Sequence, residues 1–134
     1  EAFSGDYLYR RSRRRRRAIR DFLLDGREVA GIGNIYANES LFAAGIDPRR
    51  AAGRISRLRY GRLARAVRAT LRRGIAKGGT TLRDFRDSRG RPGFFQLTLR
   101  VYGRAGKPCR RCGKTVRAQP LGGRRVFFCS HCQL

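Results

Sequence analysis

Apolar positions recur along this chain at two different periods. In the first part they fall every three or four residues, the spacing of a helix face; toward the end they alternate, the spacing of a strand. Ile19, Phe22 and Leu23 form the stripe of a short amphipathic helix, and Ser4 or Asp6 can cap a helix before it. Ala37, Leu41 and Ala44 line the packing side of a second stretch, with Asn34 as its N-cap and Gly45 as its C-cap. Tyr60, Leu63, Val67, Leu71 and Ile75 predict a long helix over residues 57–76, capped by Ser56 and ended by Gly78-Gly79. Arg62, Arg65, Arg68 and Arg72 lie toward its other side. Pro48 makes residues 46–53 an irregular connection. Two helices joined by such a double turn resemble helix-turn-helix arrangements, here aimed at a backbone rather than at base edges.

Residues 80–94 hold no apolar period after Phe85, and Arg86-Asp87-Ser88-Arg89-Gly90-Arg91-Pro92-Gly93 is turn chemistry, which predicts an exposed loop. From Phe94 to Tyr102 the pattern alternates as in a strand, or in chain that is merely extended. Thr115-Val116-Arg117-Ala118 and Arg124-Arg125-Val126-Phe127-Phe128 flank Leu121-Gly122-Gly123, which predicts a hairpin. The fold class expected is therefore mainly α, a helical bundle followed by a small β-hairpin. The division falls into residues 1–92 and 93–134.

That hairpin lies between Cys109-Arg110-Arg111-Cys112 and Cys129-Ser130-His131-Cys132, two CxxC pairs with 16 residues between them that contain all four cysteines. Two such turns facing each other supply the four soft ligands of a tetrahedral zinc site. Two disulfides are the alternative, disfavoured because no secretory signal is visible at the N-terminus and cytosolic thiols stay reduced. His131 could replace a cysteine, but four thiolates already stand at standard spacing. A closed four-cysteine site leaves no open position for catalysis.

Charge then points to a partner. The 134 residues carry 33 Lys+Arg against 9 Asp+Glu, a net charge of +24. All but Lys77, Lys107 and Lys114 of these cations are arginines. The planar guanidinium suits bidentate phosphate contact, so the bias favours nucleic acid. Neutralising eight phosphates would give a log–log salt slope of roughly −7. No apolar run is long enough to span a bilayer, and the basic stretches lack the aromatic face of a membrane-surface helix. The run Arg10 to Arg17 reads as a helix or helix junction with one charged face, meeting phosphate or only water. A helix opening at Asn34 behind Gly31 and Gly33 offers free N–H groups to an anion, or is an ordinary capped helix. Arg124, near the hairpin tip, either reaches a groove or is merely solvated.

The order of motifs is similar to the C-terminal half of formamidopyrimidine-DNA glycosylase. The residues that carry the resemblance are Gly31-Ile32-Gly33-Asn34-Ile35-Tyr36-Ala37-Asn38-Glu39, Gly78-Gly79-Thr80-Thr81-Leu82-Arg83-Asp84-Phe85, Val101-Tyr102-Gly103-Arg104 and the four cysteines. The related endonuclease VIII group shares both parts, but Gly90-Arg91-Pro92-Gly93-Phe94-Phe95 looks more like the formamidopyrimidine side. The resemblance implies a helix-two-turn-helix domain and a zinc finger holding one structural zinc through Cys109, Cys112, Cys129 and Cys132. It implies DNA contacts from Asn34, Tyr36, Tyr102 and Arg124, with Asn34 on a phosphate flanking the lesion. It also implies that Arg83, Asp84, Phe85, Ser88, Gly90 and Phe94 belong to a loop closing over an everted 8-oxoguanine or ring-opened purine, since base-acting enzymes take the base out of the stack.

The partner expected is double-stranded, lesion-containing DNA, bound by a monomer in the cytoplasm and associated with the nucleoid. The family's nucleophile is an N-terminal proline amine in a β-rich domain, and Glu1-Ala2-Phe3 looks like the middle of a longer protein. The expectation is thus a chain that grips DNA without a catalytic residue of its own, because no covalent step starts without a positioned amine. Competing readings are a free-standing nucleic-acid-binding module and a zinc-ribbon protein serving RNA.

Overall fold

The computed structural model describes residues 3–25, 33–76 and 99–134. Among the described residues four helices come first, α1 (Gly5–Ser12), α2 (Ile19–Leu24), α3 (Asn34–Ala44) and α4 (Arg57–Ala76), with a 3-10 turn at Ala52–Arg54 before the last. A two-stranded antiparallel hairpin follows, β1 (Arg117–Leu121) with β2 (Arg124–Phe128). The mainly α class with an appended hairpin is the expected one.

Local chemistry explains most boundaries. Ser4, in extended conformation, accepts the Tyr7 N–H at 3.0 Å and opens α1. The arginine run is a helix junction. Helix α1 stops at Ser12, Arg14 takes a left-handed φ of 67°, and α2 begins at Ile19. Arg13 closes the corner by donating from Nη2 to the Ile55 carbonyl at 2.7 Å while lying 4.0 Å over the Tyr9 ring. Ser56 caps α4 through the Arg59 N–H at 3.2 Å. Gly45 ends α3 with φ 74°, the left-handed geometry that favours glycine.

The main core gathers Leu8, Ile19, Phe22, Leu23, Ile35, Tyr36, Ala37, Leu41, Tyr60, Leu63 and Val67, so all four helices meet in it. Helix α4 buries the predicted stripe through Val67, leaves Leu71 partly covered and exposes Arg62, Arg65, Arg68 and Arg72. Ile75's side chain, Gly78-Gly79 and the whole 80–94 segment, including Arg83, Asp84, Phe85, Ser88, Gly90 and Phe94, lie outside the described residues. A second, smaller core unites Phe42 of α3 with Val101, Cys109, Val116 and Cys129. Helix α3 therefore faces the bundle on one side and the finger on the other. That is why residues 35–42 are buried without interruption, and why the single stripe of Ala37, Leu41 and Ala44 describes only half of its packing.

Two expectations need correction. Gly33, not Asn34, holds the N-cap position of α3, and no side chain caps it; Asn34 is the first helical residue, its amide turned to the finger instead. Residues 99–102 are not the end of a strand. They wrap a buried carboxylate: Glu39 accepts the N–H groups of Arg100, Val101 and Tyr102 at 2.9, 2.8 and 2.9 Å, and a strand ladder could not offer three successive donors to one acceptor. The hairpin register pairs Arg117 with Phe128 and Leu121 with Arg124, around Gly122-Gly123 with φ of 58° and 84°. Both turn residues need positive φ, so two glycines fix a two-residue loop that matches the strand twist.

Candidate nucleic-acid interface and metal centre

The four cysteine sulfurs lie within 4.8 Å of one another, with Cys109–Cys132 at 3.9 Å and Cys112–Cys129 at 3.5 Å. Zn–S bonds of ~2.3 Å at tetrahedral angles place the sulfurs about 3.8 Å apart, so the cluster has the size of a zinc site. Separations this long exclude disulfides, and all four thiols are free. Each pair sits on a knuckle. Cys109 Sγ accepts the Arg111 N–H at 3.4 Å, Cys112 Sγ accepts the Lys114 N–H at 3.5 Å, and Gly113 turns with φ 83°. Burial pushes the Cys109 thiol up, but the N–H groups of Cys112 and Arg111 outweigh it and hold it at about 7. Burial and the neighbouring thiols push Cys132 up to about 12. One thiolate forms readily while Cys129 and Cys132 resist, which is the electrostatic situation a dication relieves. His131 is exposed, and the four sulfurs complete the set without it. The chain has the ligands and geometry of one structural zinc.

What docks this finger on the bundle is a polar seam along α3. Asn34 Nδ2 donates to the Arg125 carbonyl at 3.0 Å, and its Oδ1 accepts from Arg20 at 2.9 Å and from Asn38 at 3.0 Å. One turn on, Asn38 Oδ1 accepts the Phe127 N–H at 2.8 Å. Arg20, fully buried, reaches from α2 into the hairpin. Its guanidinium donates to the carbonyls of Leu121, Arg124 and Arg125 and pairs with Asp21 at 2.9 Å. At the far end Gln133 accepts the Cys129 N–H at 2.8 Å and donates to the Ile46 carbonyl at 2.9 Å. These groups satisfy one another, as buried polar atoms must.

The seam brings two of the expected DNA contacts together. Arg124 is exposed at the start of β2, one residue before the carbonyl that Asn34 holds. Tyr102 is half-buried, its ring tilted against Phe127 at 4.8 Å, so it borders the same hairpin. Tyr36 does not join them. It is fully buried in the bundle, where a methyl group added at Gly74 would stand 1.9 Å from its hydroxyl. Successive side chains on a helix point about 100° apart, and this one points into the core. Asn34 opens α3 with Ile35 and Tyr36 beside it, and the first N–H groups of a helix have no intrahelical acceptor, so this end is electropositive.

Sequence reasoning missed Arg20, Asn38, Glu39 and Gln133, all buried. For Asn38 and Glu39 a signal existed: two polar residues interrupt an apolar helix interior, where asparagine is a poor choice unless its side chain has work.

Comparison with known proteins agrees with this geometry. The family model for the formamidopyrimidine-DNA glycosylase H2TH domain matches residues 1–86, and that for a zinc finger found in FPG and IleRS matches residues 106–134. Formamidopyrimidine-DNA glycosylase from Syntrophotalea carbinolica is 55% identical over 131 residues, 98% of this chain and 48% of its own length. The corresponding protein of Acidithiobacillus ferrooxidans is 54% identical over 133 residues, 99% of this chain and 49% of that one. Among solved structures, the MutM (Fpg) protein from Thermus thermophilus superposes with a TM-score of 0.88 at 41% identity, covering 99% of this chain and 51% of that one. Lactococcus lactis Fpg in complex with an abasic-site-containing DNA gives 0.86 at 30% identity, covering 98% and 48%. The chain spans about half the length of the curated relatives it matches.

Proposed function

The chain belongs to the formamidopyrimidine-DNA glycosylase family, and from that premise we propose that it is the part of such an enzyme that grips damaged duplex DNA. Its two working parts, residues 1–92 and 93–134, hold the sugar–phosphate rails from two sides. The open N-terminus of α3 and the second N–H of the Asn34 side-chain amide, the first being held by the Arg125 carbonyl, take a phosphate beside the lesion. The exposed Arg124 guanidinium takes a neighbouring one, and Tyr102 packs beside them. The observation that carries this reading is the 3.0 Å bond from Asn34 to the Arg125 carbonyl, which fixes the hairpin tip and the helix start on one surface. Zinc acts at a distance, holding the finger so that Arg124 projects from a rigid strand.

The rest extends the same proposal. Arg83, Asp84, Phe85, Ser88, Gly90 and Phe94 form the loop that closes over an everted oxidised purine, supported by their match to the family's loop. The parent activity is base excision with cleavage at the resulting abasic site, carried out by a monomer associated with the nucleoid. On this reading the residues of this chain give the grip and not the nucleophile: Lys107 and Lys114 lie exposed on the finger. Among the described residues no helix is long and apolar enough to cross a membrane.

Fluorescence anisotropy at fixed salt tests the grip on three duplexes: undamaged, abasic and 8-oxoguanine-containing. Tighter binding to the damaged duplexes is expected. Arg124→Ala should weaken it about 10-fold and lower the salt slope by about 1, as losing one charge-assisted phosphate bond does. Asn34→Ala should weaken it at unchanged salt slope. Wild-type affinity in both variants overturns the reading, and equal affinity for all three duplexes reduces it to a general nucleic-acid-binding module. Borohydride treatment of the abasic complex should trap no covalent adduct.

A further inference from the structure

Helix α4 carries seven arginines and no acidic residue across its 20 positions. Several are occupied in holding the fold. Arg57 meets Asp6 at 3.4 Å and lies 5.0 Å over Tyr9. Arg59 donates to the Gly45 carbonyl at 2.8 Å, and Arg68 donates to the Phe3 carbonyl and covers its ring at 5.3 Å. Arg73 is also engaged. Arg62, Arg65 and Arg72 are different. They are exposed, and among the described residues they make no hydrogen bond, ion pair or ring contact.

At 100° per residue these three side chains share one stripe with the exposed Leu58, opposite Tyr60, Leu63, Val67 and Gly74. That opposite face is buried against α3, whose far side carries Asn34, Asn38 and the finger. The stripe thus looks away from the Asn34–Arg124 surface, with α3 between them, and a straight duplex lying on one cannot touch the other. From Arg62 to Arg72 it extends ~15 Å along the helix axis. A merely solvated helix face mixes signs, because like charges three and four residues apart disfavour the helix. Arg62, Arg65, Arg68 and Arg72 repeat at that spacing with no intervening carboxylate. A regularly spaced polyanion is the ligand that such a row of guanidinium groups fits.

We infer that the outward face of α4 is a second duplex-binding surface, so that one chain holds two DNA segments at once. The inference goes beyond the grip described above and does not depend on a lesion. Arg62, Arg65 and Arg72 each take a backbone phosphate, positioning without reading sequence. Such an arrangement would let the protein pass between neighbouring segments without first letting go of the one it holds.

A two-duplex capture assay tests it. Undamaged duplex is fixed to beads and loaded with the chain, excess is washed away, and a labelled undamaged duplex is added at about 50 mM salt. The wild-type chain should capture close to one labelled duplex per bound chain. Arg62→Gln/Arg65→Gln/Arg72→Gln should still load onto the first duplex but capture at least 10-fold less of the second. The salt slope of capture should fall by roughly 2.7, three phosphates' worth. The three positions are exposed and, among the described residues, unpartnered, so helical circular dichroism should match wild type. Capture unchanged in the triple variant overturns the inference. So does light scattering that shows two chains per captured duplex, because self-association would then do the bridging. An RNA hairpin displacing the labelled duplex 10-fold better than DNA assigns the face to RNA and likewise overturns it. Asn34→Ala/Arg124→Ala separates the two readings, since unchanged loading of the first duplex in that variant discredits the grip and leaves the α4 result standing.

Discussion

Helix α3 is buried on two sides, and the two sides are built from opposite chemistry. Toward the bundle it presents Ile35, Tyr36, Ala37 and Leu41 to apolar neighbours. Toward the finger it presents Asn34, Asn38 and Glu39, each bonded to backbone groups of the finger or of the segment leading into it, with Phe42 as the only large apolar contribution. The first side is held by area removed from water, which is non-directional and tolerant of exchange. The second is held by matched donors and acceptors, where one missing partner strands several others. A region too small to bury much apolar surface is thereby fixed in one orientation, and that orientation puts Arg124 beside Asn34.

Removing the metal is the hardest blow to this contrast. Structural zinc supplies on the order of 10 kcal/mol to small modules, far more than this finger's own core could. Chelation, or Cys109→Ser, should abolish the hairpin. It should also strip Asn38 and Arg20 of their finger partners and the Ile46 carbonyl of Gln133, so the bundle should lose stability yet keep its helices. Amide NMR should show residues 99–134 collapsing to unfolded positions, while circular dichroism retains the helical signal and the bundle melts several degrees lower. Simultaneous loss of all helical signal would mean that the two regions are one cooperative unit and that the comparison is false.

A sharper probe leaves the metal alone. Arg20 is fully buried and serves Asn34, Asp21 and three hairpin carbonyls. Arg20→Ala should cost about 3–5 kcal/mol, because uncompensated acceptors are left inside. Arg20→Met restores most of the volume and none of the donors. If the seam is held by polar matching, Met should rescue little of the loss in urea unfolding. Rescue to within about 1 kcal/mol of wild type would show that this side too is held by packing.

The same contrast explains what is legible in the sequence. The helices, the hairpin and the zinc ligands announce themselves through period or spacing. Tyr60, Leu63 and Val67 lie where a period of 3.6 puts them, and each cysteine pair forms its knuckle. The seam has no period. Arg20 looks like one more cation beside an arginine run, and nothing local says that its partners lie 101 to 105 positions away. Asn34 is legible as a candidate anion site at a helix start but not as a hairpin anchor. Glu39 turns an alternating pattern into a turn by binding three successive N–H groups, a long-range effect that no window of neighbours contains. Tyr36 shares a motif with Asn34 but not a direction, because a helix turns about 100° per residue.

The smallest perturbation works on the apolar side and tests that last correction. A Cβ at Gly74 would lie 1.9 Å from the Tyr36 hydroxyl and 2.4 Å from its ring carbon, and the ring is fully buried. Gly74→Ala should therefore destabilise the bundle by about 1–3 kcal/mol, the usual cost of overpacking, despite alanine's better helix propensity. Tyr36→Phe removes the nearest atom and should recover part of that loss in the double variant, since the two residues touch and their effects do not add. DNA affinity should be unchanged in Tyr36→Phe measured alone. Were Tyr36 a DNA contact instead, the outcome would invert: Gly74→Ala would be neutral or stabilising, and Tyr36→Phe would weaken binding at full stability. Thermal melts and anisotropy on the same two proteins decide between a core tyrosine and an interface one.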